Sequence, residues 1–199
     1  MLRAVETGHP VQSQRTSFGL WPEFLVGQLS QPIRVLIVSG DARIRRVITQ
    51  ELMGDPRTVV VGEASEEVRR MHAAVLQALD AGIESIAAGV PAEEPHHTVC
   101  QVLLDRGYGT TTPGFEGPDG VARLNHSTGH GVGLEVHEEP PLRHSVKAPL
   151  EDGDVVTVEP GLYLLGFAGV RVEDTGMVTE GGFRNFTTLT RSLNPRDYL

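Results

Sequence analysis

The amino-acid sequence predicts an α+β domain, on three observations. Helical periodicity is confined to residues 65–106, the chain beyond residue 120 is strand-like and cut by glycine-bearing turns, and the two kinds of element are segregated where βαβ units would alternate. A chain of 199 residues can bury one substantial core, so a single domain with an arm is the natural organisation.

Residues 1–31 are expected to form a loose or irregular N-terminal arm, because the first 20 are polar and show no period; the domain proper is placed at 32–199. From Pro32 the run "PIRVLIVSG" is apolar, of strand length, and closed by Ser39 and Gly40. "TVVVGEAS" is a second β-branched run, after which Ser65 opens a helix. Val68, Met71, Val75, Leu79, Ile83 and Ile86 step by three or four along one face, with Glu66 and Glu67 favourably placed in the first turn. A second helix, roughly 92–106, turns Val99, Val102 and Leu103 inward and stops at Gly107. "GYGTTTPGFEGPDG" holds five glycines and two prolines in 14 residues, which is loop composition. Turns are then expected at "EDGD", "LLGFAG" and "TEGG".

The formal net charge is −9, with 17 basic residues against 26 acidic, and no basic cluster exceeds Arg43, Arg45 and Arg46. That balance argues against nucleic acid and against an anionic membrane as partners. No apolar run approaches the roughly 18 residues of a membrane span, and the first residues lack the apolar middle of a signal peptide. Cys100 stands alone, which excludes a disulfide framework and a thiolate zinc site. A cytoplasmic, reducing setting is expected.

The chemistry concentrates in two stretches, "HGVGLEVHEEP" and "VTVEPGLYLLGFAGVRVEDTG". A hairpin centred near Gly166 pairs residues whose numbers sum to 332, so Glu159 would oppose Glu173. Opposed side chains lie roughly 5 Å apart at Cβ, and like charges so placed repel. Flanked by "VVTV" and "VRV", such a pair would hold a proton or bind a cation. Two plainer outcomes stay open: the register slips by one, or Arg171 satisfies one glutamate. Three imidazoles, His126, His130 and His137, fall within 12 residues upstream, beside glycines that permit close backbone approach. Carboxylate with imidazole suits Mn, Fe, Co or Zn.

"HSTGHGVGLEVHEEP", "VTVEPGLY" and "GVRVEDTGMVT", in this order and spacing, resemble the catalytic half of the pita-bread metallopeptidases. These include X-prolyl aminopeptidases, prolidases, methionine aminopeptidases and the non-peptidase creatinase. The resemblance covers about residues 54–192 and implies a pita-bread (creatinase/aminopeptidase) fold, here N-terminally shortened. It implies a peptidase acting near the N-terminus of a peptide substrate, proline-containing in the prolidase-like branch, and it allows a homodimer. It also implies one or two divalent transition-metal ions. Carried over by motif, the metal ligands would be Asp55, His130, Glu159 and Glu173. His137 would stabilise the oxyanion, Glu159 would activate the attacking water, and Arg171 and His126 would line the site. The sequence departs from the family upstream. The strand expected to carry a first aspartate ligand best matches "PIRVLIVSGDAR", where the position falls on Leu36 or Val38, with Asp41 the nearest carboxylate; a further family histidine has no counterpart. The rival reading is therefore a catalytically inactive relative that binds a peptide or protein. The same stretch is also similar to the first strand and helix of response-regulator receiver domains.

Overall fold

A computed structural model describes residues 64–193 in full, together with three strands at 2–7, 33–38 and 58–60. Twelve strands and two helices are described among these residues. One sheet has seven strands: β3 (Thr58–Val60), β2 (Ile33–Val38), β1 (Leu2–Thr7), β10 (Ala168–Arg171), β9 (Gly161–Leu164), β5 (Arg123–Leu124) and β4 (Gly109–Thr110), in that order. The other has five: β12 (Gly182–Asn185), β11 (Asp174–Thr179), β8 (Val155–Val158), β6 (Gly129–Gly131) and β7 (Glu138–Leu142). Strands β2 and β3 pair in parallel, as do β4 and β5, within otherwise antiparallel ladders.

Helix α1 (Glu66–Glu84) begins where the sequence predicts, with the Ser65 hydroxyl accepting from the Val68 N–H at 3.3 Å. Its stripe Val68, Met71, Val75 and Leu79 is fully buried, and Ile83 is partly so. Helix α2 (Glu93–Asp105) adds Val99 and Leu103, and Gly107 leaves it in the left-handed conformation at φ 81°. The two helices share a core with Val156 and Val158 of β8, Leu162 of β9, Val170 of β10 and Val178 of β11. At their crossing, a Cβ on Gly82 would meet Val99 Cγ2 at 2.8 Å, so glycine there sets how close the helices lie. Neither helix is long and apolar enough to cross a membrane.

The hairpin register is the one expected. Leu164 pairs with Ala168 and Gly161 with Arg171 in the first sheet; Val158 pairs with Asp174 and Val155 with Met177 in the second. One continuous hairpin therefore passes from sheet to sheet, and Glu159 and Glu173 sit at the crossing. They lie between strands and not inside them. Pro160 has no N–H to give the ladder, and only the Val172 N–H to Pro160 carbonyl contact, at 3.4 Å, spans the break.

Within the arm expected to be irregular, Leu2–Thr7 is instead a strand paired on both sides, with β2 and β10. Its order comes from partners 30 and 165 or so residues away, which no local pattern in "LRAVET" announces.

Candidate metal centre

His130 is the middle residue of β6, between β8 and the edge strand β7. The glycines either side are there for clearance: a Cβ on Gly129 would collide with the Thr157 carbonyl, and one on Gly131 with the Glu139 carbonyl. The His130 N–H donates to Thr157 Oγ1 at 3.1 Å, and the Glu159 N–H donates to the Thr128 carbonyl at 2.6 Å. These bonds fix β6 against the crossing point of the hairpin. Edge position also lets β7 carry Pro140 and Pro141, and a bulge separates the two points where it pairs with β6.

The resulting cavity, of about 700 Å³, is lined by His126, His130, His137, Glu159, Arg171 and Glu173, with Thr157 and Arg143 among its other walls. All the site residues expected from the sequence that lie in the described part are thus brought together. Asp55, and Asp41 as the nearest carboxylate to the missing first aspartate, lie outside the described residues.

The donor chemistry is specific. His130 Nδ1 lies 2.8 Å from the Gly131 carbonyl, an oxygen that can only accept, so Nδ1 carries the proton and Nε2 the lone pair. That lone pair faces Glu159 Oε1 at 3.4 Å. Two acceptors facing each other repel unless a proton or a cation lies between them. Donors bound at about 2.1 Å around a tetrahedral ion stand roughly 3.4 Å apart, so the residues present fit a metal ion. An imidazole whose second nitrogen is tied to a backbone carbonyl is also the usual form of a ligating histidine. Burial pushes the Glu159 carboxyl above its ordinary range, the nearby Glu173 adds to this, and Arg171 and His130 oppose it. Arg171 does reach Glu159, its Nη1 donating to Oε2 at 3.0 Å. Arg171 and Arg143 line the same cavity as Glu159 and Glu173, and the Arg171 guanidinium is bonded to Glu159.

His137 lies in the exposed loop before β7, its ring 4.3 Å from that of His130 and edge-on at 68°. His126 is held at both nitrogens. Its Nδ1–H donates to the Ser127 carbonyl at 2.7 Å, so Nε2 accepts from the Tyr163 hydroxyl at 2.9 Å. Burial lowers its affinity for a proton, the Ser127 carbonyl opposing.

Tyr163 and Thr157 escaped the sequence reading. The signal for Tyr163 was the pair of glycines around it in the hairpin: a Cβ on Gly169 would come within 2.8 Å of the Tyr163 ring, and one on Gly161 within 2.5 Å of its hydroxyl. His96 was also missed. It is buried in α2 and bonded to Thr128 Oγ1 at 2.9 Å and Thr112 Oγ1 at 2.8 Å, which ties the helix to the strand start preceding His130.

Residues 56–180 match the sequence model of metallopeptidase family M24. An Xaa-Pro dipeptidase of Pyrococcus horikoshii is 36% identical over 137 residues, 69% of this chain and 36% of that protein. One of Lactobacillus delbrueckii subsp. lactis is 35% identical over 137 residues, 34% of its length. Among solved structures, an X-Pro aminopeptidase from Thermotoga maritima MSB8 superposes with a TM-score of 0.59 at 36% identity, covering 66% of this chain and 34% of that one. A prolidase from Pyrococcus horikoshii OT3 gives 0.58 at 36% identity, covering 68% and 35%. The chain spans about a third of the length of the curated relatives it matches.

Proposed function

The chain belongs to metallopeptidase family M24 and has the pita-bread α+β fold, and from that premise we propose that it acts as a metal-dependent peptidase of the X-prolyl dipeptidase and aminopeptidase kind. Its substrate is a peptide, proline-containing, cut near the N-terminus. The observation that carries this reading is His130 Nε2 aimed at Glu159 inside a cavity that Glu173 shares.

His130, Glu159 and Glu173 would hold a divalent ion (Mn, Co, Fe or Zn), with Asp55 as a further ligand for one or two ions. Such an ion, when bound, supplies Lewis acidity and lowers the pKa of water toward about 7. The rest falls to the protein's own groups. Glu159 Oε2 is engaged by Arg171, which leaves Oε1 as the oxygen that would accept a proton from an attacking water. His137, exposed and beside His130, is the group placed to donate to the developing oxyanion. Arg171 orients Glu159 through its 3.0 Å bond, and His126, locked by Ser127 and Tyr163, forms a fixed wall. A cytoplasmic setting is proposed on the lone Cys100, which is buried against Thr112.

A second reading, an inactive relative that binds a peptide or protein, is motivated by the strand Ile33–Val38, which carries Leu36 and Val38 where the resemblance calls for a first aspartate. Incubation with Xaa-Pro dipeptides separates the two. Hydrolysis that stops in chelator and returns with Mn²⁺ or Co²⁺ is expected. Bound metal without turnover, or no bound metal at all, would overturn the peptidase reading, and calorimetric titration with the same dipeptides would then show whether the chain is a binding module.

A further inference from the structure

Away from this cavity, a carboxylate oxygen of Glu93 and one ring nitrogen each of His97 and His144 lie within 4.8 Å of one another, and we propose that these three residues form a second metal site, for a divalent transition ion such as Zn²⁺. Two imidazoles and a carboxylate are a donor set for Zn, Cu, Ni or Co, and three protein ligands leave a position for water. All three residues are partly buried.

The site is built from two elements. Glu93 and His97 stand four apart in the first turns of α2, which puts them on one helix face. His144 comes from the loop after β7, and that loop is strapped onto the helix start. The Ser145 N–H donates to Glu93 Oε2 at 3.0 Å, the Glu93 N–H to the Val146 carbonyl at 2.9 Å, and the Ala92 N–H to the Ala148 carbonyl at 3.0 Å. Ser145 holds φ at 71°, the one left-handed non-glycine residue among those described, a conformation that costs about 1 kcal/mol and turns the chain here. Phe115 stacks on the His97 ring at 5.2 Å and 23°, fixing its plane.

His97 Nε2 and His144 Nδ1 are 2.9 Å apart. Two neutral imidazoles in that contact share one proton between two lone pairs. An ion replacing the proton needs its donors roughly 3.4 Å apart in tetrahedral coordination, a change of about half an ångström that side-chain rotation supplies. The plain alternative is a hydrogen-bonded histidine pair with no affinity for metal. A metal there would cross-link α2 to the loop whose preceding residue, Arg143, lines the larger cavity. Its role would be to staple that wall, separate from hydrolysis.

The test uses the full chain freed of metal by chelator, then dialysed against Zn²⁺. His97→Ala and His144→Ala are each expected to bind one Zn²⁺ fewer per chain than the parent, whereas Glu159→Gln, in the other cavity, keeps this ion. On the parent protein, long-range ¹H–¹⁵N spectra of the histidine rings should show Zn²⁺ shifting His97 Nε2 and His144 Nδ1, a readout that does not depend on the variants folding. Equal Zn²⁺ content in the parent and both variants, or ring signals of His97 and His144 that Zn²⁺ leaves unmoved, would overturn the proposal.

Discussion

At His130 the proton is already assigned by a backbone carbonyl, and the consequence falls on Glu159, whose Oε1 meets a lone pair. His130→Ala should therefore abolish binding of the ion and chelator-sensitive hydrolysis together. His137 differs, because it is proposed to touch only the transition state. His137→Ala should lower kcat by roughly 100-fold while leaving KM and metal content near parental values; a loss carried by KM alone would remove it from that role. A third residue-level expectation concerns the buried Asp174, 1% exposed, whose Oδ2 bonds Arg191 and Asn185 while Oδ1 has no partner. Arg191 also reaches Asp80 of α1 at 2.6 Å. Arg191→Ala leaves a carboxylate buried without its cation and should cost about 3 kcal/mol in urea unfolding, with Arg191→Lys recovering only part, since a point charge lacks the guanidinium fork.

Strand β6 shows why the Gly-His-Gly triplet is spaced as it is. Both glycines stand where any Cβ meets a neighbouring carbonyl, so Gly129→Ala should destabilise by about 1–3 kcal/mol and move His130 off Glu159. Circular dichroism melting and metal titration together would check this, and an unchanged melt with parental metal affinity would contradict it. Much of this element's surroundings could be read in advance. The Gly166 turn fixed the register of the long hairpin, and the three-and-four spacing of Val68, Met71, Val75 and Leu79 fixed the buried face of α1. What could not be read depends on distant partners. The pairing of Leu2–Thr7 between two remote strands is one case, and the interruption of the hairpin at Pro160 as it changes sheets is another. His144 reaches α2 through a loop held by backbone bonds, and no spacing in the sequence links it to Glu93 and His97, although the latter two show a helical interval.

For the molecule taken together, acid is the expected weak point. Burial, and then the nearby His97, His144 and His126, lower the His96 pKa to about 4, and burial lowers that of His72 as well. Below about pH 6.5 the unfolded chain takes up a proton that folded His96 refuses, so stability falls as pH drops and its contribution is gone by about pH 4. Near pH 5 the loss should be roughly 2 kcal/mol from His96. Urea midpoints at pH 7.5 and 5, taken in chelator, should fall less in His96→Gln than in the parent; equal falls would show that His96 is not held neutral. The convergence of both sheets and the hairpin on one cavity makes the central claim a matter of position. Crystals grown with Mn²⁺ and measured at its absorption edge should show an anomalous peak within about 2.0–2.3 Å of His130 Nε2 and of both the Glu159 and Glu173 carboxylates. A Mn²⁺ peak that excludes any of these three residues, or no peak in that cavity at saturating Mn²⁺, would contradict the account.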